Sequence, residues 1–417
     1  MIAIPETREI AHELLAHDPV AHGPGGALEK PDWPPLTLAE TDALLRGYPQ
    51  AGGAARLLTV SPRPFSAASV VETCADERQV FVKRHSCAVR SREGLLEEHR
   101  FLEFLAKAEW PLGQRLVQAP LADANGETVQ VRGEWVYEVH PVAPGVDRYR
   151  EAHSWSPFQS VEHARAAGRA MAGLHLMLES YDAPARMEQP LVTSWTIFAS
   201  DDPVAAMDAY LAAKPALREY AEERRWHDSM QDLLLPWHAG LRGLLPHLKP
   251  LWTHNDFHAS NLMWSPDQAK SDGPESGEPS ARVTAIVDFG LADRTNTVHD
   301  LATAIERNAI EWLRMGDAGI VHFDHVDALL AGYEEVKPMG ELERRAVAAM
   351  LPLVHCEFAL SETDYYLAVL KDRSKAYLGY EGYFLGHAAW FRESEGAGLL
   401  RHLERWAESA ERGGQRA

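Results

Sequence analysis

The distribution of hydrophobic and polar residues divides the chain into a strand-rich first part and a helix-rich second part. Short runs rich in β-branched and aromatic residues predict strands at 56–60, 68–73, 79–83, 117–120, 129–132 and 135–139. Between the third and fourth runs, helical periodicity over 91–107 places one stripe of side chains on a single face, namely Leu95, His99, Leu102 and Leu105. This order predicts a small antiparallel sheet with a helix on one face.

From residue 141 onward the spacing of hydrophobic residues becomes helical. Hydrophobic residues three and four apart predict helices at 161–179, 203–213, 217–244, 298–315, 325–335, 341–370 and 373–410. The first of these carries four apolar side chains along one side, Ala167, Met171, Leu174 and Leu178. The polar segment 265–282 has no periodicity and predicts a mobile loop.

Ahead of the strands, we predict a short helix over 6–17 and a Pro/Gly-rich loop over 19–35. Thr37 and Glu40 have the spacing of a capping box, for a helix that begins at Leu38 and ends near residues 47–49. The elements together predict an α+β fold with three parts: an N-terminal extension over 1–40, a β lobe over 41–140 and a helical lobe over 141–417. The hinge between the lobes is expected near 138–145.

Composition restricts the partners and the compartment. The formal net charge of −20 argues against nucleic acid or an anionic membrane as a partner and suits a cationic small substrate. The three scattered cysteines form no disulfide framework and no zinc motif, and the N-terminus lacks the pattern of a signal peptide, so we expect a cytoplasmic protein. No apolar stretch is long enough for a transmembrane helix. The twenty histidines are dispersed along the chain, which favours structural and surface roles over a metal site. The sequence gives no indication of the oligomeric state.

Two short segments carry candidate chemistry: T-H-N-D-F-H-A-S-N at 253–261 and I-V-D-F-G at 286–290. The step from Asp256 to Asn261 equals that between the catalytic Asp and the metal-binding Asn of the protein-kinase loop, and a D-F-G triplet follows a predicted buried strand at 283–287. We predict a catalytic loop over 253–263 in which Asp256 orients and deprotonates a hydroxyl. In the same prediction, Asn261 and Asp288 are the ligands of Mg²⁺. The alternative for Asp256 alone is a turn or helix-capping residue.

In the β lobe, Lys83 ends a strand as the phosphate-contacting lysine of kinases does, although Arg84 stands beside it. Glu98 is the predicted ion-pair partner of Lys83, with Glu97 as the alternative. The turn 61–69 contains no glycine, so contacts to ATP phosphates there would come from hydroxyls such as Ser66 or from backbone amides. The backbone of Glu138 to His140 is the predicted reader of the adenine edge.

Further residues are assigned supporting roles. We expect His258 to fix the catalytic loop by a hydrogen bond, with a core-facing imidazole as the alternative. Asp300 is expected to anchor that loop by accepting its backbone amides. Glu306 and Glu357 lie in otherwise apolar helical stretches, so they are candidates for gripping a cationic substrate, although each alone is more often a solvent-facing residue.

Four motifs in this sequence resemble those of a known family. The motifs H-N-D-x-H-x-x-N-L at 254–262, D-F-G at 288–290, H-D-L-A at 299–302 and G-x-x-M-A-x-L-H at 168–175 resemble the aminoglycoside phosphotransferase/choline kinase superfamily, near the branch of type II homoserine kinases. The resemblance covers about residues 40–390. It implies a protein-kinase-like fold whose two lobes hold Mg-ATP. One departure is Asn255, which stands where the family commonly has glycine.

By position, the resemblance assigns Asp256 as the base, Asn261 and Asp288 as magnesium ligands, Lys83 as the phosphate lysine and Glu98 as its partner. The leading hypothesis is therefore an ATP- and Mg²⁺-dependent kinase that phosphorylates a hydroxyl of a small, amine-bearing metabolite or an aminoglycoside-like compound. The alternatives are a nucleotide-binding pseudokinase or scaffold and a protein-serine kinase.

Overall fold

The computed structural model describes the ranges 21–22, 25–26, 28–61, 63–75, 78–110, 113–187, 190–266 and 281–414. The predicted helix at 6–17 and most of the predicted loop at 265–282 lie outside these residues. The described chain separates into two compact units. The first unit runs up to Lys107 and includes Val117–Ala143, and the second contains Ala108–Leu116 and the chain from Pro144 onward.

The first unit is built on an antiparallel sheet. Its strands, in chain order, are β3 (Ala54–Leu57), β4 (Ala67–Thr73), β5 (Gln79–Ser86), β6 (Val129–Arg132) and β7 (Trp135–Pro141). They are arranged in the order β3-β4-β5-β7-β6. A separate short ladder joins β1 (Ala21–His22) to β2 (Leu28–Glu29). Lys83 on β5 is paired with Ala68 on β4 and with Glu138 on β7.

Two helices accompany this sheet in the described residues. Helix α1 (Leu38–Leu45) begins with the predicted capping box, in which the Thr37 hydroxyl accepts from the backbone of Glu40 and the Glu40 carboxylate accepts from that of Thr37. Helix α2 (Arg92–Lys107) packs against β6. The predicted stripe is confirmed, because its members are all buried: Leu95, His99, Leu102 and Leu105.

The second unit is mostly helical. Its α-helices are α3 (Val161–Leu178), α4 (Pro203–Ala212), α5 (Pro215–Glu223), α6 (Trp226–Ser229), α7 (Leu235–Arg242), α8 (Thr297–Ala309), α9 (Phe323–Glu334), α10 (Glu341–Met350), α11 (Cys356–Asp364), α12 (Arg373–Tyr377), α13 (His387–Trp390) and α14 (Ser394–Gly414). Wider π-helical turns continue three of them, at Met230–Leu234, Tyr365–Leu370 and Leu378–Gly386. Short 3₁₀ turns lie at Leu245–His247, Ala259–Asn261 and Trp312–Arg314.

Several predicted long helices are interrupted. The prediction for 217–244 is broken by Arg225, which adopts a left-handed φ of 55° that an α-helix cannot contain. The helix predicted over 298–315 ends at Ala309, because the next residue, Ile310, has an extended backbone. The prediction of a strand at 117–120 is wrong, since those residues form no ladder. None of the helices in the described ranges combines the length and the hydropathy needed to cross a bilayer.

Two short antiparallel ladders in the second unit position the motifs at 253–261 and 286–290. Strand β8 (Pro250–Thr253) pairs with β11 (Asp293–Asn296). Strand β9 (Leu262–Trp264) pairs with β10 (Val283–Ile286), whose residues are all buried. The catalytic loop predicted from the sequence lies between β8 and β9. The predicted α+β class, with an antiparallel sheet unit followed by a mostly helical one, is confirmed.

Candidate active site

Both ends of the predicted catalytic loop are fixed by the two ladders, and its predicted catalytic residues are in contact. The side-chain Nδ2 of Asn261 donates to the backbone oxygen of Asp256 at 2.9 Å. It also lies 3.3 Å from the carboxylate Oδ2 of Asp256. Because the amino end of this amide faces Asp256, its Oδ1 is the atom left to face a cation.

The residue before the base has an unusual backbone. Asn255 adopts a left-handed φ of 60°, a conformation that asparagine takes more readily than most residues other than glycine. Its side-chain oxygen accepts from the hydroxyls of Thr253 at 2.8 Å and Thr295 at 3.0 Å. Its Nδ2 donates to the backbone oxygens of Leu291 and Asp293, both at 3.3 Å. The side chain therefore ties the loop to β11 and to the segment before it.

Asp300 fixes the start of the predicted catalytic loop by accepting its backbone N–H groups. It is fully buried in the first turn of α8, and its Oδ1 accepts the backbone N–H of Asn255 at 2.8 Å. Its Oδ2 accepts the N–H of His254 at 3.0 Å and lies 3.0 Å from Nε2 of His175, whose Nδ1 is 2.8 Å from the Tyr333 hydroxyl. Burial acts to raise the pKa of Asp300, but the hydrogen bond from His175 and the neighbouring groups outweigh it and hold the pKa below its usual value.

Asp288 follows β10 and is joined to the loop through its neighbour. The backbone N–H of Val287 donates to the backbone oxygen of Asn261 at 2.9 Å, and the backbone oxygen of Val287 lies 3.0 Å from Nε2 of His254. The His254 ring also packs on Phe289, with 4.6 Å between centroids. Asp288 is exposed and has a left-handed φ of 59°. Non-glycine residues in this conformation cluster at functional sites.

The carboxylate of Asp256 lies among cationic and imidazole groups and keeps 18% of its surface exposed. Its Oδ1 is 3.4 Å from the guanidinium of Arg307, and its Oδ2 is 3.5 Å from Nε2 of His258. The other ring nitrogen of His258 is 2.8 Å from the Ser260 hydroxyl. Burial acts to raise the pKa of Asp256, but His258 and Arg307 outweigh it and hold the pKa well below its usual range. Asp256 is therefore ionised at neutral pH.

Arg307 connects Asp256 to a second carboxylate. Its Nε lies 3.5 Å from Oε2 of Glu306, whose Oε1 is 3.2 Å from Nδ1 of His387 and 3.9 Å from Nδ1 of His355. Glu306 is 1% exposed. Despite these neighbours, neither of its carboxylate oxygens has a hydrogen-bond partner of suitable geometry within the described ranges. A buried carboxylate without well-formed hydrogen bonds is costly, and the neighbouring Arg307 guanidinium offsets part of that cost.

Aromatic rings line the surroundings of Glu306. Trp312 stacks on His387 with 3.7 Å between centroids, and Trp155 lies 4.7 Å from Tyr383 and 5.7 Å from His387. The Arg307 guanidinium lies 5.4 Å from the Trp155 ring. The sequence analysis named Glu306 as a candidate but none of these neighbours. Each of them is a single aromatic residue or histidine without a motif around it.

The two imidazoles beside Glu306 are neutral at neutral pH. Burial lowers the pKa of His355 to about 3 and also holds the pKa of His387 below its usual value. Burial acts to raise the pKa of Glu306, but the nearby His355, Arg307 and His387 outweigh it and hold the pKa below its usual value. The charged groups at this end of the site are therefore Glu306, Arg307 and Asp256.

Glu357, the other predicted substrate ligand, has a different environment. Its carboxylate accepts the backbone N–H groups of Thr196, Ile197 and Phe198 at 2.8–3.1 Å and the hydroxyl of Ser194 at 2.7 Å. Burial raises its pKa in spite of these bonds. Because both oxygens are occupied by the protein, this carboxylate fixes the segment 194–198, and the structure corrects its assignment as a substrate ligand.

The predicted nucleotide residues lie in the first unit. Lys83 is on β5, Glu98 is buried on α2 with 4% exposed, and Ser66 immediately precedes β4. Glu97 is only partly buried. Arg84 is engaged elsewhere, because its guanidinium donates to Glu40 at 2.7 Å, so Lys83 remains the candidate of the two.

The predicted adenine-reading segment is part of the sheet. Glu138 and His140 lie on β7, opposite Lys83 and Phe81 of β5. Their side chains contact each other, with 2.7 Å between Nε2 of His140 and Oε2 of Glu138. The proposed adenine contacts use backbone atoms, so these side-chain interactions leave that prediction open.

Family comparison defines the class of protein. Residues 66–339, more than half of the chain, match the model of the phosphotransferase enzyme family, and the chain therefore belongs to this family. The matched region includes the predicted catalytic loop, the D-F-G triplet and helix α8, which carries Asp300 and Glu306. The family resemblance drawn from the motifs is confirmed.

The individual proteins that resemble this chain share only a small fraction of identical residues with it. A homoserine kinase from Caulobacter sp. (strain K31) is 28% identical over 231 residues, which are 55% of this chain and 58% of that protein. The match thus spans less than two thirds of the relative's length. A solved aminoglycoside phosphotransferase from Alicyclobacillus acidocaldarius subsp. acidocaldarius DSM 446 is 15% identical, covering 90% of this chain and 98% of that chain, with a TM-score of 0.48. A Plasmodium vivax ethanolamine kinase is 9% identical, covering 79% of each chain, with a TM-score of 0.45.

Proposed function

We propose that this chain transfers the γ-phosphoryl group of ATP, with Mg²⁺, to a hydroxyl of a small acceptor that carries an amine. The observation that carries the proposal is the pair of carboxylates connected by Arg307. Asp256 is ionised and partly exposed, whereas Glu306 is buried and lacks a hydrogen-bond partner in the described part of the chain. One can orient a hydroxyl while the other receives a cation.

Asp256 has the position and the charge of the residue that orients the acceptor. An acceptor hydroxyl within hydrogen-bond reach donates to its carboxylate, which points the oxygen at the γ-phosphorus. The acceptor oxygen then bonds to that phosphorus, the bond to the β–γ bridging oxygen breaks, and ADP leaves with the electron pair. The hydroxyl proton passes to Asp256 late in the transfer. A carboxylate of lowered pKa is ionised at neutral pH and accepts the hydrogen bond of the hydroxyl, so its main contribution is to orient the acceptor oxygen.

Asn261 and Asp288 fit a magnesium ion by their chemistry. An amide oxygen and an exposed carboxylate are hard oxygen donors, and Mg²⁺ usually takes one or two protein oxygens together with phosphates and water. When bound, the ion neutralises charge on the transferring phosphates. In the first unit, Lys83 is proposed to contact these phosphates and Glu98 to orient Lys83. Ser66 and the backbone of Glu138 to His140 are proposed nucleotide contacts.

The charges around Arg307 favour a cationic acceptor. With His355 and His387 neutral, Asp256 and Glu306 contribute two negative charges against one positive guanidinium. The remaining negative charge matches one ammonium group. Trp155 adds an aromatic ring, which lies 5.4 Å from the Arg307 guanidinium and attracts cations. An amino alcohol can therefore place its ammonium at Glu306 and its hydroxyl at Asp256.

ADP release from Mg-ATP tests the proposal with a panel of acceptors: L-homoserine, choline, ethanolamine and an aminoglycoside. We expect turnover with at least one acceptor, a loss of about 10²–10⁴-fold in kcat for Asp256→Asn, and abolition by EDTA with recovery on adding Mg²⁺. Glu306→Gln should raise KM for the amine-bearing acceptor and leave KM for ATP unchanged. Glu219→Gln, at an exposed carboxylate of α5, is the control.

The contrary outcomes are distinct. Retained ATP binding without turnover of any acceptor would support a nucleotide-binding scaffold. Full turnover by Asp256→Asn would reject Asp256 as the orienting base. An unchanged acceptor KM in Glu306→Gln would move the ammonium site elsewhere while leaving the phosphotransferase assignment in place.

A further inference from the structure

The side chains of Glu138 and His140 belong to a cluster that the proposed reaction does not use. Oε2 of the Glu138 carboxylate lies 2.7 Å from Nε2 of His140 and 3.1 Å from Nε2 of His99. Its Oε1 lies 2.9 Å from Nε2 of His85. Glu138 is 2% exposed and His99 is 1% exposed. These imidazoles thus converge on one buried carboxylate.

Regular secondary structure holds the cluster together. Glu138 and His140 are two residues apart on β7, so their side chains project from the same face of the sheet. His85 projects from that face too, because it is two residues beyond Lys83, the partner of Glu138 on β5. His99 belongs to the buried stripe of α2. The groups are therefore positioned by two adjacent strands and a helix.

We propose that His99, His140 and Glu138 bind a divalent transition-metal ion of the zinc type. Two imidazoles and one carboxylate form a ligand set that zinc uses where it keeps an open position. Their ligand atoms all lie within 4.8 Å of one another. A tetrahedral ion with bonds of about 2.0–2.1 Å separates its ligand atoms by about 3.3 Å, so only small side-chain movements are needed to admit it.

The surrounding contacts are those that orient metal ligands. The second ring nitrogen of His99, Nδ1, is 2.8 Å from the Thr128 hydroxyl. If Nδ1 carries the proton and donates it to Thr128, the Nε2 lone pair is directed at the ion. His85 holds the Oε1 of Glu138, the oxygen that does not face the other imidazoles. Outer contacts of this kind fix the tautomer and orientation of ligands in metal sites.

The cluster also offers a route to solvent. The side chain of His140 is 18% exposed, whereas Glu138 and His99 are buried. An ion can enter on that side and keep a water molecule as a further ligand. Sequence spacing did not reveal the site because its ligands come from separate elements, with only Glu138 and His140 close in sequence. The inference does not depend on the proposed phosphotransfer reaction.

Metal titration of the full chain tests the site. The purified protein is stripped with a chelator and titrated with Zn²⁺ by calorimetry, and with Co²⁺ by its visible absorption. We expect one ion to bind at the cluster and to raise the melting temperature, because a ligand that binds the folded state stabilises it. His85→Gln keeps all three ligands and should weaken binding by about 10- to 100-fold. His99→Gln and His140→Gln should weaken it at least as much.

Two controls separate this site from others. His247→Gln changes an exposed histidine, and His387→Gln alters the other buried histidine and glutamate group; neither should weaken metal binding at the cluster. Thermal unfolding of the metal-free variants shows that each is folded. The proposal is overturned if the stripped protein binds neither ion. It is equally overturned if His387→Gln abolishes binding while His85→Gln, His99→Gln and His140→Gln retain it, which would leave the cluster as a hydrogen-bonded network.

Discussion

At the scale of single residues, Asn255 shows how a side chain can replace the conformational freedom of glycine. A left-handed φ costs an L-residue about 1–2 kcal/mol. The Asn255 side chain offsets this through bonds to Thr253, Thr295, Leu291 and Asp293, each worth about 1 kcal/mol when it replaces a bond to water. Glycine would adopt the same φ without the bonds. The loop before the base is thus held by a side chain that also fixes its distance from β11.

Arg307 is the residue whose removal should change the acid–base behaviour of Asp256. Because its guanidinium lies 3.4 Å from Asp256 and helps to lower the pKa of that carboxylate, Arg307→Met should raise the pKa. A group with a lowered pKa stays ionised down to low pH, so raising the pKa moves the acid limb of the kcat/KM profile to higher pH. We expect a movement of about one pH unit or more.

The measurement is kcat/KM for the acceptor against pH, which reports the ionisation of the free enzyme. Arg314→Met is the matched control, because Arg314 is half-exposed and bonds to Glu311 and Asp317. Its acid limb should coincide with that of the unchanged protein. A profile for Arg307→Met that also coincides with it would show that this guanidinium does not control the base.

At the scale of elements, two glycines allow α3 and α9 to touch through their backbones. A Cβ on Gly168 would lie 2.0 Å from the backbone oxygen of Leu329, and one on Gly332 would lie 2.0 Å from that of Arg165. Backbone atoms cannot give way as a flexible side chain can. The G-x-x-M-A-x-L-H motif thus combines close packing at Gly168 with His175, seven residues later, which binds Asp300.

Gly168→Ala and Gly332→Ala should therefore destabilise the protein strongly. Inserting a methyl group into a packed contact typically costs 1–3 kcal/mol, and a clash with backbone on both helices places these variants at about 3 kcal/mol or more. Gly240→Ala is the matched control, because its Cβ meets nothing within 4 Å on α7. It should stabilise the helix by about 0.5–1 kcal/mol. Urea unfolding measures all three, and equal stability of Gly168→Ala and Gly240→Ala would contradict the close contact.

At the scale of the whole molecule, the sequence predicted structural features that depend on residues close together in the chain. It did not predict contacts between segments that are far apart in the chain. The Thr37 capping box, the stripe of α2 and the strand before D-F-G depend on residues within a few positions of each other, and the structure contains all of them. The loop between Asp256 and Asn261 was recognised for the same reason. The interruption at Arg225 was missed because helical periodicity continues through a residue whose backbone is left-handed.

Interactions between distant segments could not be derived from the pattern. Glu306 and Glu357 looked alike in sequence, each a carboxylate in an apolar helix. Tertiary packing gives the amides of residues 196–198 to Glu357 and leaves Glu306 without a hydrogen bond among the described residues. The imidazoles around Glu138 were likewise hidden, since His85, His99 and Glu138 are brought together only by the pairing of β5 with β7 and the packing of α2.

The net charge of −20 provides a prediction for the molecule as a whole. A negative field attracts a cationic acceptor and repels ATP, and salt screens both effects, since the Debye length falls from about 30 Å at 0.01 M to about 3 Å at 1 M. KM for an amine-bearing acceptor should therefore rise with ionic strength, and KM for ATP should fall or stay constant. Steady-state kinetics in KCl at fixed free Mg²⁺ measure both.

Glu306→Gln separates the local charge from the overall field. If the amine binds beside Glu306, this variant should raise the acceptor KM at every salt concentration, because a short-range contact is screened less than a long-range field. The slope against ionic strength should remain, since one charge in twenty is removed. An uncharged alcohol acceptor should show neither dependence. An acceptor KM that is independent of salt in the unchanged protein would mean that the overall acidic field does not contribute to binding of the amine.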